Sequence, residues 1–156
     1  FSRTLTQKEE PVELAFNAGA VYEELVPTRP AVSIPKELDF TAPRELGKAF
    51  IDHCFFWRGE ASIRWPQSCV SLSIRGSAEF QHLIVYAPID QPFFAMEPVT
   101  NATNGFNLYA AGIADSGTIT VAPQQTVEAS FSIVADEIAG IQKIGKDIPR
   151  FYALEI

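Results

Sequence analysis

Short alternating segments, rather than long helical periods, dominate the pattern of hydrophobic and polar residues along the chain. Apolar side chains recur at every second position in 69–74, and a more continuous apolar run covers 81–87. The first pattern is typical of a strand with one buried face, and the second of a strand covered on both faces. The other segments with strand character are 12–16, 54–57, 61–65, 93–96, 118–121 and 126–135. Seven or eight short strands at this spacing predict an antiparallel β-sandwich.

The residues between these segments predict turns and few helices. Asn17 to Gly19 and Arg58-Gly59 have the composition of turns, and the proline-rich stretch 23–35 predicts an extended connection. The segment 40–47 has a capping threonine and a closing glycine, which favours one helical turn. The tail 136–156 differs, because Ile138, Ile141 and Ile144 have the spacing of a short amphipathic helix.

Composition and charge exclude several classes of function. The 156 residues carry 12 Lys and Arg against 19 Asp and Glu, a net charge of −7. A protein that binds nucleic acid or an anionic membrane surface needs the opposite balance, and no apolar run is long enough to span a bilayer. Two cysteines cannot form a disulfide framework, and neither they nor the two histidines have zinc-site spacing, so no metal site is predicted. Free thiols favour a reducing, cytoplasmic compartment.

Two carboxylates stand where strand-like segments begin or end. Glu97 follows an apolar strand and precedes Pro98, a position where partial desolvation would favour a general base, although a solvated strand-end Glu fits the pattern as well. Asp52 precedes the apolar run 54–57, where it either accepts hydrogen bonds from a polar ligand or caps backbone amides of a turn. His53 and His82 have no partner spacing that indicates catalysis.

Several short motifs together resemble the aldose 1-epimerase (galactose mutarotase) family. The longest is the stretch 93–108, FFAMEPVTNATNGFNL, which is similar to the family's FF-x-x-EP-V segment. The segments 25–28 (LVPT), 37–46 (ELDFTAPREL) and 52–55 (DHCF) match further family segments in the same order. The resemblance covers roughly residues 1–135, which we take as one domain portion, and the tail 136–156 has no counterpart.

The resemblance implies the C-terminal portion of a galactose mutarotase-like β-sandwich of about twice this length. It implies that Glu97 is the catalytic carboxylate and that Asp52 contacts the substrate. The family's general-acid His precedes a segment similar to 1–4, so we expect this chain to lack it. Many relatives carry His where this chain has Asn101, which leaves the role of position 101 open. The expected partners are a hexose and either the missing N-terminal half or another copy of the chain.

The function implied is the interconversion of α and β anomers of a hexose by acid–base ring opening. This chemistry needs no metal, nucleotide or redox cofactor, and a net-negative chain suits a neutral sugar better than a phosphorylated one. A non-catalytic carbohydrate-binding sandwich of the same family is the alternative. A glycosidase that uses Asp52 and Glu97 as its two carboxylates is a third hypothesis.

Overall fold

A computed structural model of the chain describes residues 1–5, 10–138 and 154–155, and these form a fold made almost entirely of antiparallel strands. The strands are β1 (Glu13–Val21), β2 (Arg44–Glu45), β3 (Ile51–Trp65), β4 (Val70–Gly76), β5 (His82–Ala87), β6 (Ala95–Val99), β7 (Phe131–Glu137) and β8 (Leu154–Glu155). One 3₁₀ turn (Lys36–Leu38) and one short helix, α1 (Gly105–Ala110), complete the described elements. The predicted all-β antiparallel fold is confirmed.

The long strand β3 organises the sheet. Strands run in the order β2-β1-β3-β4-β7-β8, and β5 and β6 branch from β3. The branch is possible because β3 has two halves: residues 51–56 pair with β5 and residues 60–65 pair with β4. Gly59 separates the halves with a φ of +82°, which a residue with a Cβ rarely adopts.

Two predicted turns are instead irregularities inside long strands. Arg58-Gly59 lies within β3, and Asn17 to Gly19 lies within β1, where the pairing with β3 shifts register on both sides of Ala18. Residues that favour turns are accommodated here as bulges, because each flanking segment finds the same partner strand. The predicted turns at these two positions were therefore wrong, and the predicted strands 54–57 and 61–65 are parts of one strand.

Three other local predictions were also wrong. The segment 40–47 contains β2 rather than a helical turn, because Arg44 and Glu45 pair with β1. The segment 118–121 is not in a strand, with 119–121 exposed, and 126–135 is a strand only from Phe131. The helix α1 was not predicted. The predicted tail helix at 138–144 lies almost entirely outside the described residues.

The main hydrophobic core covers one face of the sheet. Its residues come from alternating positions, and the largest fully buried members include Leu14, Phe55, Ile63, Trp65, Ile74, Leu83, Val85 and Phe94. Trp57 is 3% exposed and Trp65 is 2% exposed, so both tryptophans are core residues. This core fixes the side-chain alternation of β3, β5 and β6 and so determines which residues project from the opposite face.

Candidate functional site

The strand register places Asp52 and Glu97 on the same face of the sheet. Asp52 pairs with Tyr86 on β5, and Tyr86 pairs with Ala95 on β6. Glu97 lies two residues beyond Ala95 on the same strand, and directly paired residues share a face. Standard strand dimensions put the Cα atoms of Asp52 and Glu97 about 12 Å apart. The two predicted site residues therefore share one surface despite the 45 positions between them in the sequence.

We call this surface the carboxylate face and define it by the outward residues of three strands. They are Phe50, Asp52 and Cys54 with β3; Ile84 and Tyr86 on β5; and Phe93, Ala95 and Glu97 with β6. The opposite side of the same strands is the main core, where Leu83, Val85 and Ala87 have no exposed area. The continuous apolar run 81–87 therefore combines a buried core side with a half-buried carboxylate face.

Glu97 is held on an edge strand and reaches solvent. Its strand β6 pairs with β5 alone, and Pro98 lacks the N–H that a further strand would require, which suits a strand edge. Glu97 is exposed, so its carboxylate does not have the partial burial that the sequence suggested. The reason is geometric, because Met96 on β6 and Phe94 just before it point into the main core, and Glu97 lies on the alternate face. Asp52, further into the sheet, is half-buried.

A small second core closes one end of the carboxylate face. Cys54 packs there with Tyr22, Ala102 and Leu108, so that α1 covers this end of the sheet. The amide of Asn104 donates to the carbonyl of Pro27 at 2.8 Å, which ties the helix start to the 23–35 connection. The second half of the motif 93–108 therefore builds a wall beside the face that carries Glu97. Asn101 donates its amide to the carbonyl of Ala102 at 2.9 Å, within the same wall.

The titratable groups within this wall are held neutral. Burial raises the pKa of the Cys54 thiol to about 11 and that of the Tyr22 phenol to about 12. Burial lowers the pKa of His82, and the nearby carbonyls of Thr100 and Asp115 offset part of this effect. Neither ring nitrogen of His82 meets a hydrogen-bond partner with good geometry among the described residues. These three side chains pack the wall at neutral pH and are poorly placed to exchange protons with a ligand.

His53 belongs to the other side of the sheet. Its Nδ1 lies 3.2 Å from the carbonyl oxygen of Tyr22, and because a carbonyl only accepts, Nδ1 carries the hydrogen. The ring lines a cavity of about 400 Å³ with Phe40, Arg44 and Phe50, among others, and neither Asp52 nor Glu97 lines this cavity. Among the described residues, no three His, Cys, Asp or Glu side chains converge as metal ligands. No helix in the same ranges is long and apolar enough to cross a bilayer.

The sequence analysis assigned no role to three aromatic residues of the carboxylate face, Phe50, Tyr86 and Phe93. Tyr86 lies between the strands of Asp52 and Glu97, and its ring contacts Phe50 and Phe93, with centroid distances of 6.4 and 6.5 Å. The available signal was an even spacing, two residues from Phe50 to Asp52 and four from Phe93 to Glu97, which places each aromatic ring on the face of the carboxylate near it. This signal becomes useful only when the pairing of the strands is known.

Comparison with known proteins gives a structural match and no sequence match. No protein-family model and no curated protein matches the chain. A crystal structure from Escherichia coli K12, named "putative aldose 1-epimerase", superimposes with a TM-score of 0.65 at 18% sequence identity. The match covers 81% of this chain and 46% of the other, so this chain spans about half the length of the protein it resembles. At this identity the likeness establishes architecture alone: the chain has the antiparallel β-sandwich architecture of the matched part of that structure.

Proposed function

We propose that the chain carries the carboxylate half of an aldose 1-epimerase active site, which interconverts the α and β anomers of a hexose. Glu97 is the general base and Asp52 orients the sugar. The observation that carries this proposal is the register of β3, β5 and β6, which puts both carboxylates on one solvent-accessible face. The fold shared with the Escherichia coli structure supports the same reaction class.

The reaction assigns each group a simple task. Glu97 accepts the proton of the C1 hydroxyl while an acid donates a proton to the ring oxygen, and the C1–O5 bond opens to the aldehyde. Rotation about C1–C2 and reclosure give the other anomer, with the proton transfers reversed. Each positioned acid or base contributes a rate factor of about 10² to 10⁴. Asp52, as an acceptor for sugar hydroxyls, holds the ring with C1 toward Glu97.

The backbone pairing of Phe1 supports a location for the general acid near Glu97. Phe1 and Phe94 exchange two backbone hydrogen bonds, of 2.6 and 2.9 Å, and Ser2 pairs with Phe93. When this antiparallel register is continued by one residue, a residue joined to the amino group of Phe1 falls opposite Ala95, on the carboxylate face. The family resemblance puts the general-acid His just ahead of the segment 1–4. Such a His would therefore share the face of Glu97.

A non-catalytic sugar-binding module is the second candidate, and one observation favours it. The carboxylate face of the described residues offers two carboxylates and no histidine that reaches solvent, since His82 is fully buried and His53 lies on the opposite side. A module of this kind would bind the sugar through Asp52 and the rings beside it without accelerating the exchange of anomers.

Polarimetry on freshly dissolved α-glucose and α-galactose, with the protein at its full natural length, separates the two candidates. Glu97→Gln keeps the shape of the side chain but cannot accept the C1 proton, and we expect turnover to fall by about 10² or more while sugar affinity changes little. The matched control is Glu128→Gln, which changes an exposed carboxylate outside the face. Retention by Glu97→Gln of more than about a tenth of wild-type turnover would exclude Glu97 as the base. Binding without any acceleration in the wild type would favour the module.

A further inference from the structure

One guanidinium group joins the three segments that adjoin the strands of the carboxylate face. Arg3 donates from Nη1 to the carbonyl of Gly47 at 2.6 Å. Its Nη2 donates to the carbonyl of Pro88 at 3.3 Å, and its Nε to the carbonyl of Phe93 at 3.4 Å. Gly47 lies in the connection that leads into β3, Pro88 directly follows β5, and Phe93 is two residues ahead of β6. A single side chain therefore bonds to the backbone beside each strand that carries the face.

The same residue fixes the N-terminal segment against β6. The amide of Arg3 donates to the carbonyl of Pro92 at 2.8 Å, next to the pairing of Ser2 with Phe93. Trp65, at the end of β3, donates its indole N–H to the carbonyl of Ser2 at 3.2 Å. Arg3 thus holds in one register the segment that leads toward the expected general acid and the strand that carries the candidate base.

The guanidinium lies behind the carboxylate face rather than on it. Successive residues of an extended segment alternate between its two sides, so Arg3 shares the side of Phe1. The ring of Phe1 contacts Phe94 of the main core, with a centroid distance of 5.7 Å. Arg3 therefore projects away from the surface that carries Asp52 and Glu97, and any effect on the reaction must pass through the backbone that it holds.

We propose that Arg3 is a positioning residue of the candidate site, which sets the spacing of β3, β5, β6 and the segment 1–4 without contacting the substrate. Hydrogen bonds from a charged guanidinium are stronger than those between neutral groups, and its planar fork lets one side chain bond to carbonyls in three directions. A displacement of about 1 Å between reacting groups can lower turnover by about 10²-fold, so loosening this junction should reduce the rate more than the affinity. The inference rests on the proposed function and adds a residue to which the sequence analysis assigned no role.

Arg3→Lys, in the protein at its full natural length, tests this role. Lysine keeps the positive charge and a long aliphatic stem, but its compact ammonium does not reproduce the fork that reaches three separate carbonyls. We expect kcat for the exchange of α-glucose or α-galactose anomers, measured by polarimetry, to fall by about tenfold. KM should stay within about threefold of the wild-type value, because the residues that touch the sugar are unchanged.

Arg44→Lys is the matched control, because Arg44 makes the same kind of contact away from the face. Its Nη1 donates to the carbonyls of Lys36, Glu37 and Asp39 at 3.1, 2.8 and 3.4 Å. The two variants should lose similar amounts of unfolding free energy in urea, but only Arg3→Lys should lose turnover. Similar kcat values in the two variants would overturn the inference. A loss of turnover that only matches a loss of folded protein in circular dichroism would assign Arg3 a structural role alone and would also overturn it.

Amide hydrogen exchange separates this inference from the proposed function, because it requires no activity. The amide of Phe94 donates to the carbonyl of Phe1 at 2.9 Å, so its exchange rate reports how firmly the segment 1–4 is attached to β6. Arg3→Lys should accelerate this exchange by about tenfold, and Arg44→Lys should leave it unchanged. Faster exchange in Arg3→Lys together with an inactive wild type supports the anchoring by Arg3 and overturns the proposed catalysis. Unchanged exchange and unchanged kcat in Arg3→Lys, with an active wild type, overturn the inference and leave the catalysis standing.

Discussion

Two glycines with almost the same backbone conformation should respond very differently to an added methyl group. Gly117 and Gly112 have φ values of +74° and +72°, so alanine is strained at both. A Cβ on Gly117 would lie 2.2 Å from the carbonyl oxygen of Thr100 and 2.9 Å from Cε1 of His82, whereas a Cβ on Gly112 meets nothing within 4 Å. Thr100 follows directly after β6, so the clash falls on the segment that joins Glu97 to the wall.

The structure gives each substitution a magnitude. The left-handed conformation alone costs alanine about 1 kcal/mol, which is the whole expected effect of Gly112→Ala. Gly117→Ala adds overpacking against a backbone atom that cannot rotate away, at about 2 kcal/mol, for a total near 3 kcal/mol. The loop is also fixed by the hydrogen bond of 2.8 Å from the amide of Ala102 to the carbonyl of Ser116, so it cannot retreat without losing that bond.

Urea unfolding followed by tryptophan emission measures the difference. Trp57 and Trp65 are both buried in the main core and report on its disruption. We expect the loss of unfolding free energy in Gly117→Ala to exceed that in Gly112→Ala by about 2 kcal/mol, with unchanged denaturant dependence for both variants. Equal losses would refute the close approach of Gly117 to Thr100, and with it the packing of the 115–118 loop over His82.

The remaining predictions concern the site, pH and association. Asp52→Asn replaces one acceptor oxygen with an amide donor, so the affinity for a 1,5-anhydrohexitol, a sugar analogue without an anomeric hydroxyl, should fall by about tenfold. The control Asp90→Asn, at an exposed position in the loop after β5, should leave this affinity unchanged. Burial lowers the pKa of His82 below its ordinary 6.5, so the unfolded chain binds a proton at this residue more strongly than the folded chain does. Folding stability is therefore fully present above about pH 6.5 and falls as the pH drops below it. The dependence of the unfolding free energy on pH should be weaker in His82→Phe. An unchanged urea midpoint between pH 8 and pH 5.5 in the wild type would contradict the argument. Exposed Ile119, Val121 and Val127 in a stretch outside the described strands favour association of the chain with another protein body, and a compact monomer in sedimentation velocity would count against it.

Local sequence patterns predicted the identity of most strands because alternation follows directly from burial on one face. The segments 69–74 and 81–87 became β4 and β5 within one or two residues. The turn assignments at Asn17 to Gly19 and at Arg58-Gly59 failed because a glycine inside a paired strand and a glycine in a turn have the same local sequence. Partner strands on both sides decide between a bulge and a turn, and that information is not local. The short helix α1 follows Asn104, and its six residues are too few to show a helical period in the sequence, so it was not predicted.

Strand register, which the sequence does not give, decides whether Asp52 and Glu97 lie on the same face of the sheet. Glu97 and Asp52 were identified one at a time, each from the apolar segment beside it and from a family motif. Neither segment by itself determines whether the two carboxylates lie on the same face of the sheet or on opposite faces. A shift of one residue in either strand pairing would move one carboxylate to the other face. The pairings of Asp52 with Tyr86 and of Ile84 with Glu97 place both carboxylates on one face. Phe55, Leu83 and Val85 stabilise this register because their side chains are fully buried in the main core. A core substitution that shifted β5 by one residue would therefore separate the two carboxylates without touching either of them.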